Sequence, residues 1–192
     1  MVSPMRHLLR GTLLLTLSLG AFGCEDAQKP RPVPAARPPL ASYPDGPAGV
    51  QRLWEDILAA CRKDDRERVH ELIASMALSK EQLAGLIGAE AAVEQWPSYQ
   101  FQVGSMANAG AVELVAFVYD KKLDEVVVQR ADALPAAEQG ATDKAVLGRL
   151  KQPQAIYTVT LRRKPAQKGL RYESLIYVEG RWRTLAPLGK SG

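Results

Sequence analysis

Histidine and cysteine are nearly missing from this chain. Two of each stand among its 192 residues, at His7, His70, Cys24 and Cys61. Neither type joins Asp or Glu at metal-ligand spacing, which argues against a metal site and against a paired nucleophile and histidine. No GxxxxGK[ST] or GxGxxG run is present to cradle a phosphate, and no cofactor is expected. A serine nucleophile elbow is also absent. Long apolar runs are missing too: the stretch Gly11 to Phe22 is about a dozen residues, short of the roughly 20 that a membrane-spanning helix requires. Charge of one sign is not in excess either. With 25 basic and 21 acidic residues and a net +4, the chain is too balanced to point to nucleic acid as a partner.

What is present begins at the N-terminus. Met1 to Arg10 carries Arg6 and Arg10 without an acid, an apolar or small run follows, and Gly23 ends it one residue before Cys24. That is the order of a secretory signal peptide. Ala21 and Gly23 supply small residues at the third and first positions before a cut that makes Cys24 the new N-terminus. Leu13 to Cys24 resembles the bacterial lipoprotein signal (lipobox), although Ala21 stands where leucine is usual and Phe22 where a small residue is usual. The resemblance implies loss of residues 1–23, a diacylglyceryl thioether on Cys24, and often a third acyl chain on its amine. Two or more chains make such anchoring stable where one does not. Without the lipid, Cys24 would be a spare thiol in an oxidising compartment. Loss of Arg6 and Arg10 lowers the net charge from +4 to +2. The expected address is the cell membrane, lipid-anchored on its periplasmic or extracytoplasmic face. Glu25 follows the cysteine where aspartate is the usual signal against outer-membrane export, so either membrane fits.

Residues 24–47 follow as a lipidated cysteine and a disordered tether, with prolines at 30, 32, 34, 38, 39, 44 and 47 and almost no large apolar residue. Residues 48–192 read as a single domain. Val50, Leu53, Trp54, Ile57, Leu58 and Cys61 recur at steps of three and four, which predicts an amphipathic helix. Asp64 with Glu67 opens a second helix carrying Val69, Leu72, Ile73 and Met76. Ser79 with Gln82 has capping-box spacing for a third, running toward Val93. Trp96-Pro97 is expected to end the helical part. Beyond it the period shifts to two, and strands are predicted at Tyr99 to Met106, Val112 to Tyr119, Asp124 to Arg130, Ala155 to Arg163, Leu170 to Val178 and Arg181 to Pro187. Glu179-Gly180 marks a tight hairpin. Leu134 to Pro153 reads as a long connection with a turn of helix at Ala145 to Leu150.

Helices followed by antiparallel strands predict an α+β domain: two to three N-terminal helices on a curved, cone-like sheet of about six strands. That element order, with Gly180-Arg181-Trp182-Arg183 after a hydrophobic strand, resembles the nuclear transport factor 2-like superfamily. A cystatin-like helix-on-sheet arrangement is the alternative. The superfamily resemblance implies a cone that holds a ligand or, in its enzymes, an Asp or His general base with polar partners such as tyrosine.

His70 lies beside its helix stripe and reads as a boundary residue, and Cys61 as a buried, inert thiol. Glu90 and Glu94 read as a solvated helix surface. Glu113 is the candidate base of an isomerase- or dehydratase-like enzyme, because alternation would place it on one face with Val115, Phe117 and Tyr119; the plainer reading points it to solvent. Phe117, Tyr119 and Tyr157 are candidate contacts for a small apolar ligand or a partner segment on the concave sheet face. Residues 151–192 hold nine basic side chains against two acidic. Arg162, Arg163, Lys164, Lys168, Arg171, Arg181 and Arg183 thus form a candidate patch for an anionic envelope surface or an envelope protein, or simply a solvated face. Three functional classes follow: a lipid-anchored ligand-binding or interaction module, a small enzyme built on Glu113, and a purely structural envelope protein.

Overall fold

The computed structural model describes residues 39–165 and 169–189. Cys24, the expected signal, most of the tether, Lys168 and Lys190 lie outside the described residues. Pro47 occupies the start of α1 (Pro47–Arg62), where a residue without N–H costs nothing. Val50, Leu53, Trp54, Ile57, Leu58 and Cys61 are all buried along it. The stretch just before it, the end of the expected tether, packs on the domain: the Tyr43 hydroxyl donates to Asp56 (2.6 Å) and the Pro44 carbonyl accepts from Trp182 Nε1 (3.1 Å). Gly49 permits this, since a Cβ there would lie 1.7 Å from the Pro44 carbonyl oxygen.

α2 (Arg66–Ala74) is capped by Asp65, which accepts from the Arg68 amide (3.0 Å). Asp64, the expected cap, instead takes the left-handed turn that ends α1, with φ 52°. α3 (Lys80–Ile87) opens with a complete capping box, Gln82 N to Ser79 Oγ (3.2 Å) and Ser79 N to Gln82 Oε1 (3.0 Å).

After Gly88 the structure departs from the predicted strands. Tyr99 to Met106 and Val112 to Tyr119 are helical, in α4 (Ala89–Ser105), a π turn at Met106–Gly110, and α5 (Ala111–Lys121). Pro97 lies inside α4 without ending it. It is exposed, so the carbonyl one turn earlier that loses its donor can turn to water. Tyr99, Val103, Ala107 and Ala111 are buried at steps of four. Such spacing drifts around an ideal helix, and the π turn, with its extra residue, returns Leu114, Val115 and Val118 to the same inward face.

Among the described residues the sheet is an antiparallel meander of four strands, not six: β1 (Glu125–Arg130), β2 (Ile156–Arg162), β3 (Gly169–Val178) and β4 (Arg181–Thr184), in that order. Glu179 and Gly180 join β3 to β4, both at positive φ (49° and 79°), as a tight hairpin of this twist demands. α6 (Ala141–Leu147) crosses between β1 and β2, and a 3-10 turn (Ala186–Gly189) follows β4. Tyr157, Val159, Leu161, Leu175 and Trp182 face one way and pack with α1, α2 and α5. Ile156, Ile176 and Val178 face the other way, toward Val146 of α6, Leu188, and Leu83, Tyr99 and Val103 of α3 and α4. The fold is α+β with helices on both sides of an open sheet.

Candidate functional site

The sites anticipated in the sequence do not assemble. Glu113 is exposed in the first turn of α5, so it shares no strand face with Phe117 and Tyr119. Phe117 and Tyr119 stand on the outer surface of α5, 38% and 83% exposed. Tyr157 is buried in β2, its ring edge-on to Trp182 at 5.3 Å. The three aromatics therefore line no common surface. Of the basic residues, Arg162 pairs with Glu125 (2.6 Å), with Lys164 on the same carboxylate (3.5 Å). Hydrogen bonding from Arg162 holds the Glu125 carboxyl below the usual range. Arg183 turns inward and donates to the Ser75 and Ala77 carbonyls (2.6 and 2.7 Å), closing the end of α2. Arg163 and Arg181 are exposed. Cys61 is buried, and burial pushes its thiol up to about 11. Among the described residues no three or more His, Cys, Asp or Glu gather to hold a metal ion.

A different constellation has formed around α6. Asp143 is fully buried. Its Oδ1 accepts from the Ser174 amide and hydroxyl (both 2.7 Å), and its Oδ2 from the Thr158 hydroxyl (2.6 Å) and Arg171 Nη2 (3.4 Å). The reason lies in β3. Pairing steps from Val159↔Tyr172 to Tyr157↔Leu175, so β3 carries one residue more than β2 across this interval. That bulge puts Ser174 at φ 58° and turns its N–H out of the ladder. A buried N–H needs an acceptor, and a carboxylate with four donors is a favourable one. Ser174, fully buried, presents no nucleophile. Gly140 lets the loop close on β3: a Cβ there would sit 2.1 Å from the Glu173 carboxylate and 2.9 Å from the Arg171 guanidinium.

Beside this junction a cavity of about 210 Å³ opens. Trp54, Met76, Met106, Tyr172 and Leu175 form its apolar side, and Thr142, Arg171, Glu173, Thr184 and Ala186 complete it. Trp54 is fully buried with its ring 4.1 Å from that of Tyr172 and tilted by 37° to it, yet its indole N–H finds no acceptor among the described residues. An unmet buried donor costs roughly 1–3 kcal/mol. Burial likewise raises the Tyr172 phenol above its ordinary pKa. At the mouth, Arg171 pairs with Glu173 (2.9 Å) as well as with Asp143. A mostly apolar wall with its charged groups at the mouth suits a compact neutral group. A bare carboxylate would be desolvated against that wall.

Sequence reasoning placed Trp54 on the α1 stripe and Arg171 in the basic patch, but had no signal for their meeting. The α4 to α5 run forms the other notable surface. Its helical length, Ala89–Lys121, is long and apolar enough to cross a membrane by those two criteria alone, and here its inner face is used in the core. Its outer face shows Val93, Phe101, Val112, Phe117 and Tyr119 to solvent. Compared with protein-family models, with curated proteins and with solved structures, the chain matches none.

Proposed function

We propose that this chain is a membrane-anchored envelope lipoprotein whose α+β domain is a ligand-binding module. The anchor is Cys24, lipidated after residues 1–23 are removed, with the proline-rich stretch holding the domain off the bilayer on the extracytoplasmic side. The observation that supports the binding role is a cavity of about 210 Å³ lined in part by Trp54, a fully buried residue whose indole N–H has no acceptor among the described residues. A mostly apolar cavity with a few polar groups at its mouth is the usual form of a small-ligand site. Glu113 is exposed on α5 and does not line this cavity, although its charge acts on the Tyr172 phenol.

Two measurements test the reading. In ¹⁵N–¹H spectra of the full chain, cyclohexanone, a compact neutral carbonyl, should move the Trp54 indole peak saturably and leave Trp96 and Trp182 in place. No movement with cyclohexanone or related neutral carbonyls overturns the binding role. Cys24→Ala should abolish acyl labelling and leave the protein in the soluble fraction or as an uncleaved precursor. Retained labelling overturns the anchor.

A further inference from the structure

The cavity occupies the lane of a missing strand. β3 runs for ten residues, but β4 pairs only with Leu175 to Val178. The next amide, Leu185, still reaches the Ser174 carbonyl (2.8 Å), after which the chain turns away at Ala186. On this side no strand among the described residues pairs with residues 169–173, although β2 pairs with residues 169–172 on the other. These residues are half-buried or exposed, so their edge is open. The cavity begins at the last β3–β4 pair, Leu175 and Thr184, and continues along Glu173, Tyr172 and Arg171. It is bounded from both faces of the sheet, by Trp54 on the α1 side and by Thr142 on the α6 side. A void between two faces at the end of a short strand has the form of an absent strand, not of a pocket within one layer.

We propose that an extended peptide segment fills this lane, antiparallel to β3 and continuing the direction of β4, with apolar and basic residues in alternation. This rests on the reading that the cavity binds a ligand. Residues 169–173 offer about 17 Å of edge at about 3.4 Å per residue, enough for five residues held by main-chain hydrogen bonds. Successive side chains of the segment point to opposite faces. Those on the α1 side enter the apolar wall of Trp54, Met76 and Tyr172. Those on the α6 side meet Arg171, whose single guanidinium already serves the carboxylates of Glu173 and Asp143. One negative charge is in excess there, so a lysine or arginine is favoured and an acid is not.

The probe is acetyl-Lys-Val-Lys-Val-Lys-amide, titrated into the ¹⁵N-labelled full chain. The amides of residues 169–173 and the Trp54 indole should shift together. Acetyl-Glu-Val-Glu-Val-Glu-amide should bind about tenfold more weakly, from several cross-strand charge pairs of ordinary size, and Glu173→Gln should narrow that ratio. In a strand, the N–H groups of alternate residues face the same neighbour. N-methylation of both valines or of the lysines should therefore abolish binding in one case and spare it in the other. If both peptides fail to bind while cyclohexanone still moves Trp54, the lane is not a peptide site and the ligand-binding reading stands. If cyclohexanone fails as well, both are overturned. Equal binding of the two N-methylated forms, or no preference for lysine over glutamate, also overturns the proposal.

Discussion

At two places the chain inverts the usual distribution of polarity. Under α6, a carboxylate, two hydroxyls and a strained serine backbone are sealed inside; along α4 and α5, Val93, Phe101, Val112, Phe117 and Tyr119 stand outside. The buried polar group is accounted for donor by donor, because Asp143 accepts four hydrogen bonds from Thr158, Arg171 and Ser174. The exposed apolar groups have no comparable network. A buried charge is expensive unless fully paired, whereas an exposed aromatic costs the folded state little, since it is no worse hydrated in the unfolded chain. The inside inversion should therefore govern stability and the outside one should hardly touch it.

Asp143→Ala is the strongest way to break that contrast. It strands the Ser174 amide and hydroxyl and the Thr158 hydroxyl in a closed space, and α6 loses its tie to β3. Removing one partner of a buried ionic network costs about 3–5 kcal/mol, so chemical denaturation should show a loss near 3 kcal/mol. Tyr99→Phe tests the same principle without charge. The Tyr99 hydroxyl accepts from the Leu78 amide (3.0 Å) and donates to the Thr184 carbonyl (2.9 Å), linking the α2–α3 connection, α4 and β4. Its removal should cost about 1–2 kcal/mol, because both backbone partners are left buried. A loss below that of a surface substitution would mean that water enters and repairs the gap.

These two residues also separate what was legible in the amino-acid order from what was not. The α1 stripe, the Ser79–Gln82 capping box and the Glu179-Gly180 hairpin are local devices, set by residues at most a turn or two apart, and all three are formed. The β1 to β4 segments carry the valine, threonine and tyrosine content of strands and are strands. Tyr99 to Tyr119 carries similar residues and is helix, because tertiary burial at steps of four overrode β propensity. Two features hid it: a proline on the exposed side of α4, and a π turn that repairs a drifting stripe. The candidate site was less legible still. Asp143, Thr158 and Ser174 meet only because β3 bulges, and the Trp54 cavity exists only because β4 stops at Thr184. Neither a bulge register nor the length of a strand's neighbour is written in any short motif.

Cys61 lies between the two extremes, a weakly polar group inside an apolar core. Its thiol is raised from 9.0 to about 11 by burial. A thiol whose folded pKa is raised stabilises the fold below the unfolded value, and that contribution is lost as pH climbs from about 9 to about 11. In a Cys24→Ala background, stability should fall across this window. Cys61→Ala should flatten the fall, at the expense of a constant packing loss from the deleted sulfur. In the same background the native thiol should resist alkylation at neutral pH, reacting at a rate set by opening of the α1–α5 packing.

The smallest effect is expected outside. Phe101 and Tyr119 are 78% and 83% exposed, so a double change to serine removes little packing. Most surface substitutions stay within about 0.5 kcal/mol, and serine lowers helix propensity by only a few tenths of a kcal/mol at each site. The double variant should therefore unfold within about 1 kcal/mol of the parent, against about 3 kcal/mol for Asp143→Ala. Such a change also leaves the Trp54 cavity untouched, so cyclohexanone should shift the indole peak as before. A large destabilisation would show that these side chains are covered in solution, and the contrast between the two inversions would then collapse into a single rule of burial.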